Sequence, residues 1–303
     1  MPKIKYVDMK LGADALGIIS KANEIIESYA AQGLDLTLRQ VYYQFVSRDL
    51  LANTEKSYKK LGDTISNGRL AGLIDWSRIK DRGRHSESNS HWDSPSDIVE
   101  GCAKQYQIDK WAGQKTRCEV WIEKDALSGV LDACCPKLDV PYFACKGYVS
   151  QSSMWEAAMR IVKKLGVTGS GCEKMVILHL GDHDPSGIDM TRDISDRLHL
   201  LSWGADISVK RIALNMDQIT QYNPPPNPAK LTDTRAGDYI AKFGTESWEL
   251  DALEPNVLIA LITKEVKKLR NEKLWKEKVS EEQEARTLLQ DVADSWSDVV
   301  KNL

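Results

Sequence analysis

The chain has 303 residues, 42% of them hydrophobic and 28% charged, with a formal net charge of −3. That balance suits a folded protein and argues against both a disordered tail and a uniformly basic polyanion binder. No apolar run approaches the roughly 18 residues of a membrane span, and MPKIKYVDMK lacks the apolar core of a signal peptide, so a cytoplasmic protein with no membrane role is expected.

Residues 13–31 place Leu16, Ile19, Ala22, Ile25, Ile26 and Ala30 at helical spacing, and Gly33 supplies a C-terminal stop. Thr37 can cap a second helix, LRQVYYQFVSRDL. A third helix through 54–71 leads into a basic segment. This order predicts an N-terminal helix-turn-helix or winged-helix module over residues 1–92, a shape that also serves as a plain packing unit. Between Lys56 and Arg84, eight basic residues stand against three aspartates. Lys60, Arg69, Arg78, Lys80, Arg82 and Arg84 are the candidate contacts to a phosphate backbone; the alternative is a solvated helix face.

Residues 83–97 are polar and rich in Ser, with Ser94 or Ser96 as the cap of a short helix, so 93–116 reads as a linker. From 117 to 303 the pattern is α/β. CEVWIE, VPYFAC, KMVILHLG and DISVKRIAL read as strands, and 124–134, 151–165 and 187–201 as the helices between them. Such alternation predicts a central parallel sheet with helices on both faces. QYNPPPNPAKLTDTRAGDY, with four prolines in five positions, reads as an extended loop. A helical extension from Pro255 carries an apolar stripe of Leu258, Leu261, Ile262, Val266 and Leu269. The six cysteines show neither CxxC nor zinc-finger spacing, so reduced thiols are expected.

Chemistry concentrates at two strand ends. Glu123 closes the strand in VWIEKDA, and Asp182 with Asp184 close another in LHLGDHDPSG. In an open α/β sheet, ligands bind outside the carboxyl ends of the strands. If the two strands are neighbours, three carboxylates share one crevice and repel unless a divalent cation neutralises them. All-oxygen ligands suit Mg²⁺. The alternative is that these acids cap helices starting at 124 and 186. Aspartyl phosphatases and phosphotransferases also carry DxD at a strand end, but Ser186 stands where they have Thr or Val.

The pairing of IEKDA with GDHDPSG resembles the Toprim domain of topoisomerases, primases and related nucleases. TLRQVYYQ (37–44), IEKDA (122–126), KGY (146–148), GDHDPSGID (181–189) and ELDAL (249–253) together resemble the A subunit of topoisomerase VI and its meiotic break-forming relatives. The resemblance covers residues 37–253 in the family's order. It implies a winged helix followed by a Toprim domain, and Mg²⁺-dependent cleavage of double-stranded DNA by a tyrosine that becomes joined to a 5′ phosphate. Tyr43 is then the nucleophile, Glu123, Asp182 and Asp184 the metal ligands, and a homodimer is implied, because the family's tyrosine meets the metal site of another subunit. Arg39, one helical turn before Tyr43, can hold the scissile phosphate or stabilise the phenolate. Lys146 can meet phosphate or sit in a simple glycine turn, and Glu249 and Asp251 can support the carboxylates or face solvent. The chain is shorter than typical members and carries no GxxxxGK[ST] loop, so ATP-driven strand passage would need a separate ATPase partner. Two alternatives stay open: a Toprim endonuclease that uses water, and a DNA-binding protein that does not cut.

Overall fold

The computed structural model describes residues 3–80, 89, 91–166, 171–229 and 232–301. Helices α1 (Ala13–Ala30), α2 (Leu38–Ser47) and α3 (Glu55–Leu70) bury Ile19, Ile25, Val41, Phe45, Leu61 and Ile65 against one another. Gly33 follows α1 in the left-handed region at φ 76°, the conformation that ends a helix and that glycine adopts without strain. Thr37 caps α2 in a reciprocal box: its Oγ1 accepts from the Gln40 amide at 3.3 Å, and Gln40 Oε1 accepts from the Thr37 amide at 2.8 Å. Among the described residues no β-hairpin follows α3. The chain from 71 to 80 makes only isolated bridges, Lys5 with Ala71 and Leu36 with Ile79, so the N-terminal part is a helical cluster without a described wing.

Residues 93–116 hold more structure than a linker. Ser94 and Asp97 form a capping box, Pro95 occupies the first turn, and α4 (Pro95–Gln105) packs on a C-terminal helix. Trp111 lies in the sheet's core, its Nε1 donating to the Leu138 carbonyl at 3.0 Å.

The sheet is α/β and wholly parallel. Strands β1 (Thr116–Ile122), β2 (Tyr142–Ala144), β3 (Lys174–Leu180) and β4 (Ile207–Ala213) lie in the order β2-β1-β3-β4. In both β1 and β3 every residue after the first is buried, which is why they read as nearly continuous apolar runs. Helix α5 (Ser128–Leu138) covers one face, and α6 (Gln151–Gly166) and α7 (Pro185–Leu201) cover the other with Met154, Ile161, Ile194 and Leu198. After β4 come α8 (Met216–Tyr222), a two-residue ladder of β5 (Asn227–Pro228) with β6 (Glu246–Ser247) that encloses α9 (Ala236–Phe243), and a single 3-10 turn at Leu250–Ala252. The proline-rich stretch thus ends in a short strand. Helix α10 (Pro255–Leu269) buries Leu258, Ile262 and Val266 on the α5 face, α11 (Glu272–Asp294) holds α4, and α12 (Trp296–Lys301) ends the described chain. No disulfide joins any of the six cysteines. Among the described residues no helix is long and apolar enough to cross a membrane.

His179 shows how strictly β3 is buried. It is fully enclosed, its Nδ1 pairs with Thr191 Oγ1 at 2.9 Å, and its Nε2 has no hydrogen-bond partner among the described residues. Burial, with the Arg211 charge nearby, pushes its pKa down to about 3. Below pH 6.5 the unfolded chain takes up a proton that folded His179 refuses until about pH 3. Wild type is therefore expected to lose stability relative to His179→Met as the pH falls through that window, by up to about 1.4 kcal/mol per pH unit. Urea unfolding of both proteins across the range checks this, and parallel pH profiles would contradict it.

Candidate metal and nucleophile site

The register that pairs Ile122 with Leu180 ends β1 and β3 side by side, so Glu123 and Asp182 emerge at the same edge. Glu123 Oε2 accepts from the Asp182 amide at 2.8 Å. Beneath the turn lies Arg211 of β4. Its guanidinium donates to the carbonyls of Gly181 (2.8 Å), Asp182 (2.5 Å) and Gly187 (2.9 Å) and to Thr191 Oγ1 (3.0 Å). Five planar donors let one side chain satisfy a whole turn's carbonyls. Little in the sequence signals this role, because Arg211 stands beside Lys210 in a strand that also holds Ser208.

Asp182 reaches across to the segment after β6. Its Oδ1 accepts from the Leu250 amide at 2.8 Å, fixing the 3-10 turn. His183 secures the same segment from the other side. It pairs through its backbone with Trp248, and its Nδ1 meets Tyr239 Oη at 2.8 Å. The ring faces Tyr239, Phe243 and Trp248, away from the acids, and burial pushes its pKa down to about 4.

The result is a cluster of Asp182, Glu249 and Asp251, whose ligand atoms all lie within 4.8 Å of one another. This buried acidic triad could bind a metal ion. Glu249 and Asp251, which the sequence leaves open between a supporting role and a solvent-facing one, are thus direct members, and Asp251's side chain is fully buried. The trio expected from sequence, Glu123, Asp182 and Asp184, does not fall within that span. Asp184 Oδ1 caps the N-terminus of α7, accepting from the Gly187 amide at 2.6 Å and Ser186 Oγ at 3.1 Å. Glu123 uses one carboxylate oxygen, Oε2, on the Asp182 amide and also lines the cavity beside Arg39.

Two cations meet the triad. Lys124 Nζ lies 2.8 Å from Asp182 Oδ2 and 2.7 Å from Asp251 Oδ1, and it also contacts Glu249. Arg39 reaches from α2, its Nε 3.1 Å from Asp251 Oδ2 and a terminal nitrogen 3.7 Å from Glu249. The same guanidinium sits 5.7 Å from the Tyr43 ring centroid. Arg39 and Tyr43 share a helix face that packs on the 250–252 turn, so acids and phenol come together within one chain. Tyr42 is occupied otherwise: its hydroxyl faces Asn53 Oδ1 at 3.2 Å and the Thr54 carbonyl at 3.1 Å.

Burial, reinforced by Glu249 and Asp251, pushes the Tyr43 phenol up to about 12, with Arg39 and Lys124 pulling the other way. Burial also raises Asp182 and Glu123 above the usual carboxylate range. It would lower Lys124 too, but Asp182, Asp251 and Glu249 outweigh it and hold the ammonium protonated. Two cavities open beside Arg39. One of about 280 Å³ is lined by Glu123, Lys124, Asp125, Lys146 and Gly147. The other, about 210 Å³, is lined by Tyr42, Tyr43, Asn53, Thr54 and Tyr58.

The basic residues divide. Lys146 stands at the first cavity, largely exposed, 3.4 Å from Asp125. Lys60 is exposed on α3. Arg69 instead folds back, donating to the carbonyls of Ile79 (2.5 Å) and Trp76 (3.3 Å). Arg78 and Lys80 both face Asp35, at 3.9 and 3.5 Å. Arg82 and Arg84 lie outside the described residues.

No family model matches this chain, and no curated protein matches it. The site's geometry therefore carries the functional argument, and Gly187 tests how tightly that geometry is set. A Cβ there would lie 2.2 Å from the Asp182 carbonyl oxygen and 3.1 Å from Glu123 Oε2. Gly187→Ala is expected to cost about 2–3 kcal/mol in chemical denaturation, because backbone must move. An unchanged midpoint would show that the turn is looser than described.

Proposed function

We propose that this protein cleaves duplex DNA by Mg²⁺-dependent tyrosyl transesterification, with a Toprim-like sheet presenting the acids and the N-terminal helices acting as a winged-helix-like DNA-binding module. The observation that carries the reading is the packing of α2 on the 250–252 turn, which sets Arg39 and Tyr43 against Glu249 and Asp251. Five sequence blocks that resemble the topoisomerase VI A subunit contribute to this one region or flank it.

The donor set fits the metal: three carboxylates and no nitrogen or sulfur ligand match a hard divalent cation. Bound there, Mg²⁺ would polarise the phosphoryl oxygen and offset charge on the leaving oxygen. The chain's own groups do the rest. Arg39 and Lys146 hold the scissile phosphate at the 280 Å³ cavity. Tyr43 Oη attacks phosphorus as the bond from phosphorus to O3′ breaks, leaving a 5′-phosphotyrosyl bond. The phenolic proton leaves to water, since the carboxylates are taken up by the metal, and the departing 3′ oxygen takes a proton from water and ends as a hydroxyl. Rejoining is the reverse. A duplex has two strands, so two copies are required for a double-strand break.

One observation favours a second reading. A phenol pushed up to about 12 is almost wholly protonated at pH 7, so the same acids could instead direct water at phosphorus. The two separate cleanly. Under the tyrosyl reading, denaturant traps protein on cut DNA, Tyr43→Phe abolishes that adduct, and adduct formation rises with pH toward about tenfold per unit, as the phenolate fraction does. Nicking without an adduct, unaffected by Tyr43→Phe, would establish the hydrolytic reading.

Removing the acids tests both. Asp251→Ala and Asp182→Ala are each expected to slow cleavage of supercoiled plasmid at least about a hundredfold while leaving most duplex binding. Binding is read by gel shift at fixed salt, since phosphate contacts weaken steeply with ionic strength. Plasmid that stays intact with wild type in both Mg²⁺ and Mn²⁺, while binding persists, would reduce the protein to a DNA-binding role.

A further inference from the structure

The acid triad already contains a cation. Lys124 Nζ touches all three carboxylates, at 2.8 Å from Asp182 and 2.7 Å from Asp251 and in contact with Glu249. These are the same carboxylates whose oxygens converge within 4.8 Å. Resting on the reading of this cluster as a metal site, we propose that Lys124 is its exchangeable counter-ion. The ammonium holds the carboxylates together in the free protein, and a divalent cation enters as Lys124 leaves to meet a phosphate oxygen of the DNA.

Geometry forces the exchange. Mg²⁺ needs its oxygens at about 2.0–2.1 Å, closer than the ammonium now stands. A metal and an ammonium sharing those oxygens would sit about 3 Å apart, where like charges repel strongly in a site largely closed to water. Lys124 also has somewhere to go. It lines the 280 Å³ cavity together with Arg39 and Lys146, and these three cations outnumber the two acids there, Glu123 and Asp125, so the lining favours an anion. Four methylenes let an ammonium swing while its backbone stays fixed. The charge balance agrees: three carboxylates against Lys124 and Arg39 leave one net negative charge, whereas adding a divalent ion without releasing Lys124 would leave one net positive.

Reciprocity follows. A phosphate that captures Lys124 vacates the triad and so raises metal affinity, and the metal must raise DNA affinity by the same factor. Metal and DNA would then load as a pair, and neither alone would arm the site.

The test is Mn²⁺ binding to the full chain, read as free Mn²⁺ by electron paramagnetic resonance, for wild type and Lys124→Met, with and without a duplex oligonucleotide. Without DNA the variant is expected to bind Mn²⁺ about tenfold tighter or more, the scale of a removed close charge. DNA should tighten Mn²⁺ binding to wild type by a similar factor and to the variant hardly at all. Equal affinities, weaker binding by the variant, or Mn²⁺ bound by neither protein would overturn the proposal. Should Lys124→Met fail to fold, wild type answers by itself: mass-spectrometric mapping of lysine acylation should find Lys124 protected without metal and several-fold more reactive in saturating Mg²⁺ without DNA, where the displaced amine has no phosphate to hold it. Unchanged protection rejects the exchange. Loss of the exchange with cleavage intact leaves the cleavage reading standing, and exchange without cleavage does the converse.

Discussion

Asp182 fixes the geometry on which everything else at the strand ends depends. Its amide donates to Glu123, its carbonyl accepts from Arg211, its Oδ1 accepts from the Leu250 amide, and its Oδ2 faces Lys124. One residue thus joins β1, β3, β4 and the 250–252 turn. Each contact satisfies a group that burial would otherwise leave unpaired, and an unpaired buried group costs more than the bond itself yields. Asp251 makes a cleaner probe of the acids' chemistry, because among the described residues its carboxylate hydrogen-bonds only to the cations Lys124 and Arg39.

The sheet was legible because its signal is local. Strands β1 and β3 are buried on both faces and therefore apolar residue after residue, and the Thr37 and Ser94 caps are written within four positions of each helix start. The convergence of Glu123 with the DHD turn was legible too, since it follows from parallel pairing alone. What the triad contains was not. DxD beside PSG reads more readily as a metal loop than as a helix start, and in the structure Asp184 caps α7. Asp251 becomes a member because a 3-10 turn buries it against α2 and Lys124, contacts more than 120 residues distant along the chain for Lys124 and more than 200 for Arg39.

Charge counting along the sequence left the basic stretch open between a phosphate-binding face and a solvated one for the same reason. A run of arginines and lysines states how much charge is present but not where its partners lie. Asp35, ahead of α2, takes up Arg78 and Lys80, and two backbone carbonyls take up Arg69. The cations that remain by the acids, Arg39, Lys124 and Lys146, are spread over three segments, in α2, after β1 and after β2, and form no run at all.

Placing the phenol beside the acids creates a conflict that also shows how the site could be controlled. Glu249 and Asp251 are the charges that raise Tyr43, and they are also the charges a divalent cation would neutralise. In the metal-free protein the phenol is only 6% exposed and is surrounded by reasons to keep its proton. Once those carboxylates are neutralised, the electrostatic part of that resistance falls away, and Arg39, no longer needed by Asp251, is left to favour the phenolate. Metal loading and nucleophile activation would then be two readings of one change in local charge. Under the proposed cleavage reading that coupling is useful, because a phenolate formed without DNA and metal in place would have nothing to attack.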